Sequence, residues 1–450
     1  MKVIAIFDIG KTNKKLLLFD EQYLLVAEQS VNLEPTVDED GETCEDLLRL
    51  SRWVRESLDV LLRRTDIRVA AVNFSAYGAS FVHIGKDGRP IAPLYNYLKA
   101  FPPALLKTFY DSYGGEVTMS MLTASPVLGS LNSGMQLYRI RHEQPGLFAQ
   151  IRYSLHLPQY LSYLLTGIPV SDITSIGCHT NLWNYAQQHY HEWVYREGVN
   201  EKLAPIVDSA NVYRMDGGGP FAGVGLHDSS AAMIPYLESF REPFVLLSTG
   251  TWCISMNPFN DSPLTVAELQ QDCLCYMSYR GRPVKASRLF AGHDHEMQVR
   301  RLADHFHRSA AAAAVVRFDF GAVRQLRERM GAATPGPTVP VMASAFGRRD
   351  LAGFGNFEEA YHCLLMDIMD QQVTSTRLVL HDTGVRRIFV DGGFGRNQVY
   401  MHLLAAAFPD TEVFAASIPQ ATAMGAALAI HRHWNDRAMP GDMIELKYYQ

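Results

Sequence analysis

The chain has 450 residues, of which 47% are apolar, and its formal net charge at pH 7 is −6. This length and apolar content allow extensive cores in more than one domain. The acidic balance argues against nucleic acid as the main partner, because nucleic-acid binding usually needs a basic surface. No apolar run is long enough to span a membrane, and no basic segment precedes an apolar one at the N-terminus. We therefore expect neither a membrane partner nor a signal peptide.

The first half of the chain predicts a hairpin, a third strand, a helix and a buried strand. The hairpin and the third strand are predicted at Val3–Phe7, Lys15–Phe19 and Leu24–Val31. Apolar residues then recur at helical spacing, at Leu47, Leu50, Val54, Leu58 and Leu61. The nearly continuous apolar run "RVAAVNFSAYG" that follows is typical of a central strand.

The second half repeats this order. "FVLLSTGTWCISMNP" (Phe244–Pro258) predicts a strand, a turn and a strand, and "CLCYMSY" a further strand. A long helix is predicted around Glu358–Leu380, a strand at "RRIFVDGG", a helix at "NQVYMHLLAAAF", a strand at "TEVFAAS" and a final helix at "ATAMGAALAIHRHW". Loops are expected at "GHDHE" (Gly292–Glu296) and "GAATPGPTVP" (Gly331–Pro340). The repeat indicates a duplicated α/β domain with a boundary near residues 238–244.

The six cysteines are scattered along the chain and form no two pairs at zinc-finger spacing. Cys273 and Cys275, which are closest in sequence, alternate like neighbours on a strand. We predict reduced, buried thiols, as in a cytoplasmic protein.

The turn "DIGKTNKK" follows the first predicted strand and is rich in hydrogen-bond donors. Its backbone N–H groups, with Gly10 allowing close approach, could form a nest for anionic oxygens. Side-chain donors are added by Thr12, Asn13 and Lys15. Asp8 beside the nest would hold a hydrated Mg²⁺, because hard cations prefer carboxylate oxygens. The alternative is an ordinary polar hairpin with a surface aspartate.

The turn "LSTGTW" places similar donors at the start of the second half. Gly250, flanked by Thr249 and Thr251, would surround a phosphate with backbone and hydroxyl donors. The pair Gly392–Gly393 ends a later strand, where bare backbone can accept a flat ring or a ribose. The G-x-G-x-x-G spacing of a Rossmann fingerprint is absent. A polar hairpin turn and a tightly packed strand–helix corner are the structural alternatives.

The segment "GVGLHDSSAAM" (Gly223–Met233) presents Asp228 just before a helix of small residues. Helix capping is the common role of such an aspartate. The functional alternative is a general base that takes a proton from an attacking hydroxyl.

These segments, in this order, resemble the FGGY family of carbohydrate kinases, within the sugar kinase–chaperone–actin superfamily. "DIGKTNKKLLLFD" is similar to the family's first phosphate loop, "LSTGTW" to its second, and "DGGFGRN" with "ATAMGAALA" to its adenosine region. "GLHDSSAA" is similar to the segment with the catalytic aspartate. "LHLPQYLSYLLTGIPVSDITSIGCHTNLWN" also follows the family pattern. The similarity runs from about Lys2 to His433, and "GTW" with "YGASFVHIGKDGRPIAPLYNY" favours the rhamnulokinase and fuculokinase branch.

The resemblance implies an α/β fold of two ribonuclease-H-like domains, residues 1–240 and 241–450, with a nucleotide cleft between them. It implies a cytoplasmic enzyme that uses ATP and Mg²⁺ to phosphorylate a ketose or deoxyketose, of the L-rhamnulose, L-fuculose or xylulose type. A homodimer is common among relatives.

The resemblance also assigns roles to individual residues. Asp228 would be the general base and Asp8 would organise Mg²⁺. The phosphates would be held by Gly10, Thr12, Asn13 and Lys15 and by Thr249, Gly250 and Thr251. The adenosine pocket would be lined by Gly392, Gly393 and Asn397.

The chain departs from the family pattern near the predicted sugar pocket. Lys11 stands where a small residue is usual, and it is either an added phosphate contact or a solvated side chain. Residues 95–99 replace an aromatic, Asp and Arg pattern, and His179 replaces a common arginine. The candidate sugar-binding residues, for which packing roles are equally open, are Tyr77, Ser80, Asn96 and His179, together with Asp228.

Two other function classes fit parts of this pattern. An actin- or chaperone-like ATPase would explain both phosphate turns but not the "LTG" and "GLHD" segments. A sugar or nucleotide sensor without catalysis would explain the altered pocket but not the presence of both Asp8 and Asp228.

Overall fold

The computed structural model describes residues 1–330 and 344–450. The predicted loop Gly331–Pro340 lies outside these residues. The chain divides into two compact units. The first unit comprises Met1–Ser239, Cys275–Pro283 and Pro419–Met443, and the second comprises Phe240–Leu274, Val284–Ile418 and Ile444–Gln450.

Each unit contains helices around a central sheet. The helices of the first unit are Leu47–Leu62, Pro103–Ser112, Gly115–Thr123, Ser133–Glu143, Pro145–Gln150, Leu157–Thr166, Ile173–Ile176, Glu192–Arg196, Asp228–Ser239, Ala421–Ala429 and His431–Trp434. Those of the second unit are Val266–Leu269, Ala291–His305, Phe320–Met330, Phe357–Leu380 and Gln398–Ala407. Short 3₁₀ helices are Gly129–Leu131, Val199–Lys202, Ala310–Val315, Ala345–Arg348, Leu351–Gly353 and Phe394–Arg396.

The sheet of the first unit is built around the strand Lys2–Ile9. Its strands lie in the order Leu25–Val31, Lys14–Asp20, Lys2–Ile9, Arg68–Ala76, Phe221–Gly223 and Val212–Arg214, and Leu226–His227 also pairs with Arg68–Ala76. Lys2–Ile9 is antiparallel to Lys14–Asp20 and parallel to Arg68–Ala76. The run Val3–Phe7 is completely buried, as expected for a central strand with both faces covered. The predicted hairpin and central strand are therefore confirmed.

Short strand pairs lie outside the two main sheets. They are Thr36–Val37 with Thr43–Cys44, Phe81–Ile84 with Tyr153–His156, Ser171–Asp172 with Ile206–Val207, and Trp183–Asn184 with His189–Tyr190.

The sheet of the second unit repeats this arrangement. Pro283–Leu289, Cys253–Asn257, Phe244–Thr249, Arg387–Gly392, Glu412–Ser417 and Glu445–Tyr449 lie in that order, and Cys273–Met277 is placed beyond Pro283–Leu289. Phe244–Thr249 is antiparallel to Cys253–Asn257 and parallel to Arg387–Gly392. The duplication predicted from the sequence is therefore visible as two sheets with the same central pairing.

Two predicted elements are wrong. "GHDHE" is not a loop, because it lies within the first turns of the helix Ala291–His305. These five residues are mostly polar, and the buried apolar positions Val299 and Leu302 come later in the helix, so local polarity misled the prediction. The predicted final helix is interrupted at Ile430 and continues as the short helix His431–Trp434.

All six cysteines lie in the described part of the chain, where each is a buried thiol outside any disulfide, as predicted. Among the described residues, no helix is both long enough and apolar enough to cross a membrane.

The helix that begins with Asp228 packs closely against the helix Ala421–Ala429. A Cβ atom added at Gly425 would lie only 1.8 Å from the carbonyl oxygen of Ala231, so the two backbones require glycine there. Asn73, on the strand Arg68–Ala76, also links these segments by hydrogen bonds. Its amide donates to the carbonyl of Ala426 at 2.7 Å and accepts from the N–H of Gly225 at 3.2 Å.

We expect Gly425→Ala to destabilise the protein, because the backbone of one helix must move away from the other. Overpacking of this kind typically lowers the free energy of unfolding by about 1–3 kcal/mol. The measurement is the melting temperature of each variant. Gly146→Ala is the matched control, because this glycine is also helical and an added Cβ meets nothing within 4 Å. Equal melting temperatures for the two variants would contradict the close packing.

Candidate functional site

The parallel strands of the first unit end at the same edge of their sheet. Asp8 pairs in register with Ser75, and Ser75 pairs with Leu226. One residue further, Ile9 and His227 pair with Ala76 from opposite sides. The polar turn after Ile9 and the side chain of Asp228 therefore emerge at one edge. The carboxyl ends of parallel strands are a common location of ligand sites in α/β proteins.

Asp8 lies in a polar environment at this edge. Its Oδ2 accepts a hydrogen bond of 2.7 Å from the hydroxyl of Thr422, and its neighbours in register are Ser75 and Lys15. Burial raises the pKa of Asp8 to about 6, and the charge of Asp228 adds to this rise. The two carboxylates are therefore close enough to interact electrostatically.

The donor set at Asp8 suits a magnesium ion that arrives with a phosphate ligand. Mg²⁺ usually keeps several waters and takes one or two carboxylates from the protein. Within residues 1–330 and 344–450, no cluster of three or more His, Cys, Asp or Glu side chains could hold a metal ion by itself. A single carboxylate is consistent with the predicted role of Asp8, which stays a prediction.

The turn after Asp8 uses only part of its donors internally. Gly10 donates its N–H to the carbonyl of Asn13 at 2.9 Å, which closes the turn. Thr12 and Asn13 are exposed. The ammonium group of Lys15 lies 3.0 Å from Glu28 and 3.2 Å from Gln420. Lys15 must leave these partners to reach a phosphate, whereas Thr12 and Asn13 need no such change.

Asp228 is the first residue of the helix Asp228–Ser239. Its Oδ1 accepts a hydrogen bond from the N–H of Ser229 at 2.6 Å and lies 3.1 Å from Nε2 of His227. About a third of the side chain is exposed, with a relative accessibility of 34%. Burial raises the pKa of Asp228 to about 6. The group therefore combines access to a ligand with a basicity well above that of an ordinary aspartate.

His227 lies against Asp228, a contact that the sequence analysis missed although the two residues are adjacent. Burial lowers the pKa of His227 to about 4, so the imidazole is neutral near pH 7. Its Nε2 also lies 3.5 Å from the Sγ atom of Cys178. Its backbone N–H is held by the hydroxyl oxygen of Thr174 at 3.0 Å, and the Thr174 hydroxyl donates to the buried Asp172.

Two of the predicted sugar-binding residues lie near His227. Tyr77 directly follows the strand Arg68–Ala76. A Cβ atom added at the next residue, Gly78, would lie 2.8 Å from the His227 ring. Tyr276 is stacked on His227, with ring centroids 6.0 Å apart, and meets His179 edge to face at 6.2 Å.

The other two predicted sugar-binding residues, Ser80 and Asn96, have side chains that are hydrogen-bonded to nearby backbone groups. Ser80 is 1% exposed, and its hydroxyl lies 3.5 Å from the carbonyl oxygen of Tyr95. The side-chain amide of Asn96 donates to the carbonyl of Thr43 at 3.1 Å and accepts from the N–H of Leu98 at 3.0 Å. A sugar-binding role for these two residues stays a prediction.

In the second unit, the structure brings Thr249, Gly392 and Gly393 together. The Thr249 hydroxyl donates to the carbonyl of Asp391 at 2.6 Å and accepts from the N–H of Phe394 at 3.0 Å. The N–H of Gly393 donates to the Thr249 carbonyl at 2.9 Å. Gly392 has a φ of +93°, and a Cβ there would lie 1.9 Å from the Thr249 oxygen, so only glycine fits.

The start of the helix Ala291–His305 lies directly against the turn at Gly250. A Cβ at Gly292 would lie 1.7 Å from the Gly250 carbonyl oxygen, and the N–H of His293 donates to the carbonyl of Thr251 at 3.1 Å. Gly250 itself donates to the carbonyl of Trp252 at 2.8 Å. The turn is therefore rigidly supported by a helix that the sequence analysis missed.

Asn397 is held in place by two interactions. Its side-chain oxygen accepts from the N–H of Tyr400 at 3.1 Å and so caps the helix Gln398–Ala407. Its amide donates to the hydroxyl of Tyr361 at 2.6 Å, and that hydroxyl lies 3.0 Å from Nε2 of His295. The predicted contact with adenosine would have to be made alongside these bonds.

We expect Thr249→Val to weaken nucleotide binding, because it removes the acceptor of the Phe394 N–H while keeping the side-chain shape. A buried donor left without a partner costs about 1–3 kcal/mol, and the turn can relieve this cost only by moving the N–H groups that would face a phosphate. Each 1.4 kcal/mol lost from binding by that movement is about a tenfold loss of affinity. The measurement is the dissociation constant of Mg-ADP by calorimetry. The control is Thr374→Val, whose hydroxyl bonds only the Asp370 carbonyl of its own helix. If both variants bind Mg-ADP like the unmodified protein, Thr249 has no role in the site.

Comparison with known proteins identifies relatives of the chain. The sequence pattern of the FGGY family of carbohydrate kinases, N-terminal domain, matches residues 3–227, and that of the carbohydrate kinase FGGY, C-terminal domain, matches residues 241–438. A protein named rhamnulokinase from Bacteroides thetaiotaomicron is 24% identical over 285 residues, with 58% of this chain and 56% of that protein covered. The match thus spans only about half the length of this relative.

Solved structures show the same fold over nearly the whole chain. A carbohydrate kinase from Novosphingobium aromaticivorans superposes with a TM-score of 0.80 at 24% identity, covering 99% of this chain and 96% of that one. A ligand-bound xylulose kinase from Lactobacillus acidophilus gives a TM-score of 0.78 at 18% identity, with 100% and 94% covered. The predicted α/β fold class is confirmed.

Proposed function

Because the chain belongs to the FGGY family of carbohydrate kinases, we propose that it transfers the terminal phosphoryl group of ATP to a hydroxyl of a sugar. The acceptor is a ketose or deoxyketose, of the L-rhamnulose, L-fuculose or xylulose type. The observation that carries the proposal is the carboxylate of Asp228, a third exposed at the sheet edge to which the strand of Asp8 also leads. In this proposal residues 1–240 carry the acceptor side and residues 241–450 the nucleotide-binding side.

The proposed reaction needs little covalent chemistry from the protein. The acceptor oxygen attacks the terminal phosphorus in line with the leaving oxygen of ADP; the new P–O bond forms as the P–O bond to ADP breaks. The hydroxyl proton passes to Asp228, late in the transfer. Phosphoryl transfer of this kind depends mainly on positioning and charge stabilisation. A carboxylate with a pKa of about 6 is well matched to accept the proton near neutral pH.

Asp8 would hold the Mg²⁺ that accompanies ATP. When bound, the ion neutralises phosphate charge and helps to orient the terminal group. Thr12 and Asn13 would donate to the same phosphates, and the raised pKa of Asp8 indicates a carboxylate that gains from a nearby cation.

The second unit would bind the rest of the nucleotide. Thr249, Gly250 and Thr251 would donate to phosphate oxygens from a turn supported by the helix Ala291–His305. Gly392 and Gly393 offer bare backbone beside that turn, which suits a ribose or a base, with Asn397 at the following helix.

We expect Asp228→Asn to abolish most turnover while leaving nucleotide binding intact, because the amide cannot accept the proton. General-base assistance is typically worth about 10²–10⁴ in rate. The measurement combines sugar-dependent ADP release with the dissociation constant of Mg-ADP. Asp59→Asn, at an exposed position on the helix Leu47–Leu62, is the matched control. Turnover of the Asp228 variant equal to that of the control would refute the role of Asp228.

We expect kcat/KM to fall as the pH drops through about 6, because Asp228 accepts a proton only when ionised and its pKa is about 6. Asp8, with a pKa of about 6 as well, must also be ionised to bind a cation. At saturating Mg-ATP the bound cation keeps Asp8 ionised, so the limiting slope of log kcat/KM for the sugar against pH should be about one. The measurement is the acid limb of the pH profile at saturating Mg-ATP. A profile that stays flat well below pH 6 would contradict this basicity.

A further inference from the structure

The ammonium group of Lys11 lies between two tyrosine rings. Its Nζ is 5.3 Å from the ring centroid of Tyr77 and 4.9 Å from that of Tyr97. The two rings meet at 62° with centroids 5.9 Å apart. We call these three side chains the Lys11 cage. Aromatic faces attract a cation without neutralising it, so the charge of Lys11 stays available to a ligand.

The positive charge of Lys11 is not matched by a carboxylate. The nearest acidic influence is Glu45, but Glu45 is paired with Lys14 at 3.0 Å, and these two side chains are 5% and 2% exposed. In the described part of the chain, no carboxylate lies within ion-pair distance of the Lys11 ammonium group. Two lysines therefore share one acidic neighbour, and one positive charge remains uncompensated. A partly buried, uncompensated cation is unfavourable unless it serves a ligand.

The cage lies at the strand edge from which Asp228 emerges, and the N–H of Tyr77 donates to the carbonyl of Ile9 at 3.1 Å. Tyr77 directly follows Ala76, the partner of His227 in the sheet, and the charge of Asp228 acts on Tyr97. The cation that acts on Asp8 is Lys15, whereas Lys11 responds to Glu45 and Lys14.

We propose that Lys11 binds a carboxylate on the acceptor, so that the preferred substrate is an acidic sugar. Its carboxylate lies at the end remote from the hydroxyl that Asp228 deprotonates. A keto acid derived from a ketose, with its terminal carbon oxidised, has this chemistry. The inference rests on the proposed kinase function and narrows its acceptor, because an acid derived from a ketose takes the place of the neutral ketose. A charge-assisted bond to Lys11 favours such a substrate, and a neutral sugar leaves the ammonium without a partner.

The test compares pairs of acceptors that differ only at the remote terminal carbon. One member is a neutral ketose and the other is the corresponding keto acid. For the unmodified protein we expect kcat/KM to be higher for the acid by about 10- to 100-fold, the range expected for one hydrogen bond to a charged group. Lys11→Met should remove this preference by lowering kcat/KM for the acid alone. The KM for Mg-ATP should not change.

Control variants separate this role from a structural one. Lys11→Arg keeps the charge and should retain part of the preference for the acid. Lys107→Met removes an exposed lysine of the first unit and should leave both acceptors unaffected. Binding of the acid without nucleotide, measured by calorimetry, should weaken in Lys11→Met but not in Lys107→Met. Melting temperatures show whether each variant is folded.

Several results would overturn the inference. Turnover of neutral ketoses at least as efficient as that of the acids would refute it while leaving the kinase function intact. An equal loss for both acceptors in Lys11→Met, or a change confined to the KM for Mg-ATP, would also refute it. If the unmodified protein phosphorylates no sugar of either kind, the proposed function fails and the inference fails with it.

Discussion

The parallel pairing of Lys2–Ile9, Arg68–Ala76 and Leu226–His227 is the constraint on which the candidate site depends. Parallel strands present their carboxyl ends at one edge, so residues far apart in sequence meet there. Asp8 reaches this edge as the penultimate residue of its strand, and Asp228 as the first residue after the strand Leu226–His227. Burial raises the pKa of Asp8 to about 6, and the negative charge of Asp228 contributes to this rise because the two carboxylates are close.

The second unit has a parallel pairing of central strands like that of the first unit. Phe244–Thr249 lies parallel to Arg387–Gly392, and this pairing brings Thr249 against the glycine pair. The Thr249 hydroxyl bonds the carbonyl of Asp391 and the N–H of Phe394 at this strand end. Duplication of one fold has thus produced two strand ends that each combine an aspartate, Asp8 or Asp391, with hydroxyl and backbone groups.

Much of this architecture could be predicted from the sequence because its strands are strongly apolar. Runs such as Val3–Phe7 admit few alternatives to a buried strand, and the order of elements repeats in both halves. The residues that orient the site were harder to predict. Thr422 bonds Asp8 across 414 positions of sequence, and neither periodicity nor spacing relates two such residues. His227 is adjacent to Asp228 in sequence, but only its burial and the resulting low pKa show that its ring is neutral.

The errors have a similar origin in tertiary context. "GHDHE" lacks the apolar spacing of a helix, yet it forms one because Gly292 and His293 pack against the turn at Gly250. Lys11 could be interpreted from sequence as a phosphate contact or as a solvated side chain. The Lys11 cage shows a third environment, in which Tyr97, a departure from the family pattern, forms one wall.

The central claim is that Asp228 takes a proton from a carbohydrate while a phosphoryl group is transferred to it. The most direct measurement is ADP release from Mg-ATP by the unmodified protein, with and without a panel of ketoses and ketose-derived acids. The account predicts release that depends on one class of sugar and matches the amount of sugar phosphate formed. Release at the same rate without any sugar, as in an ATPase switch, would contradict it, and so would the absence of release with every sugar.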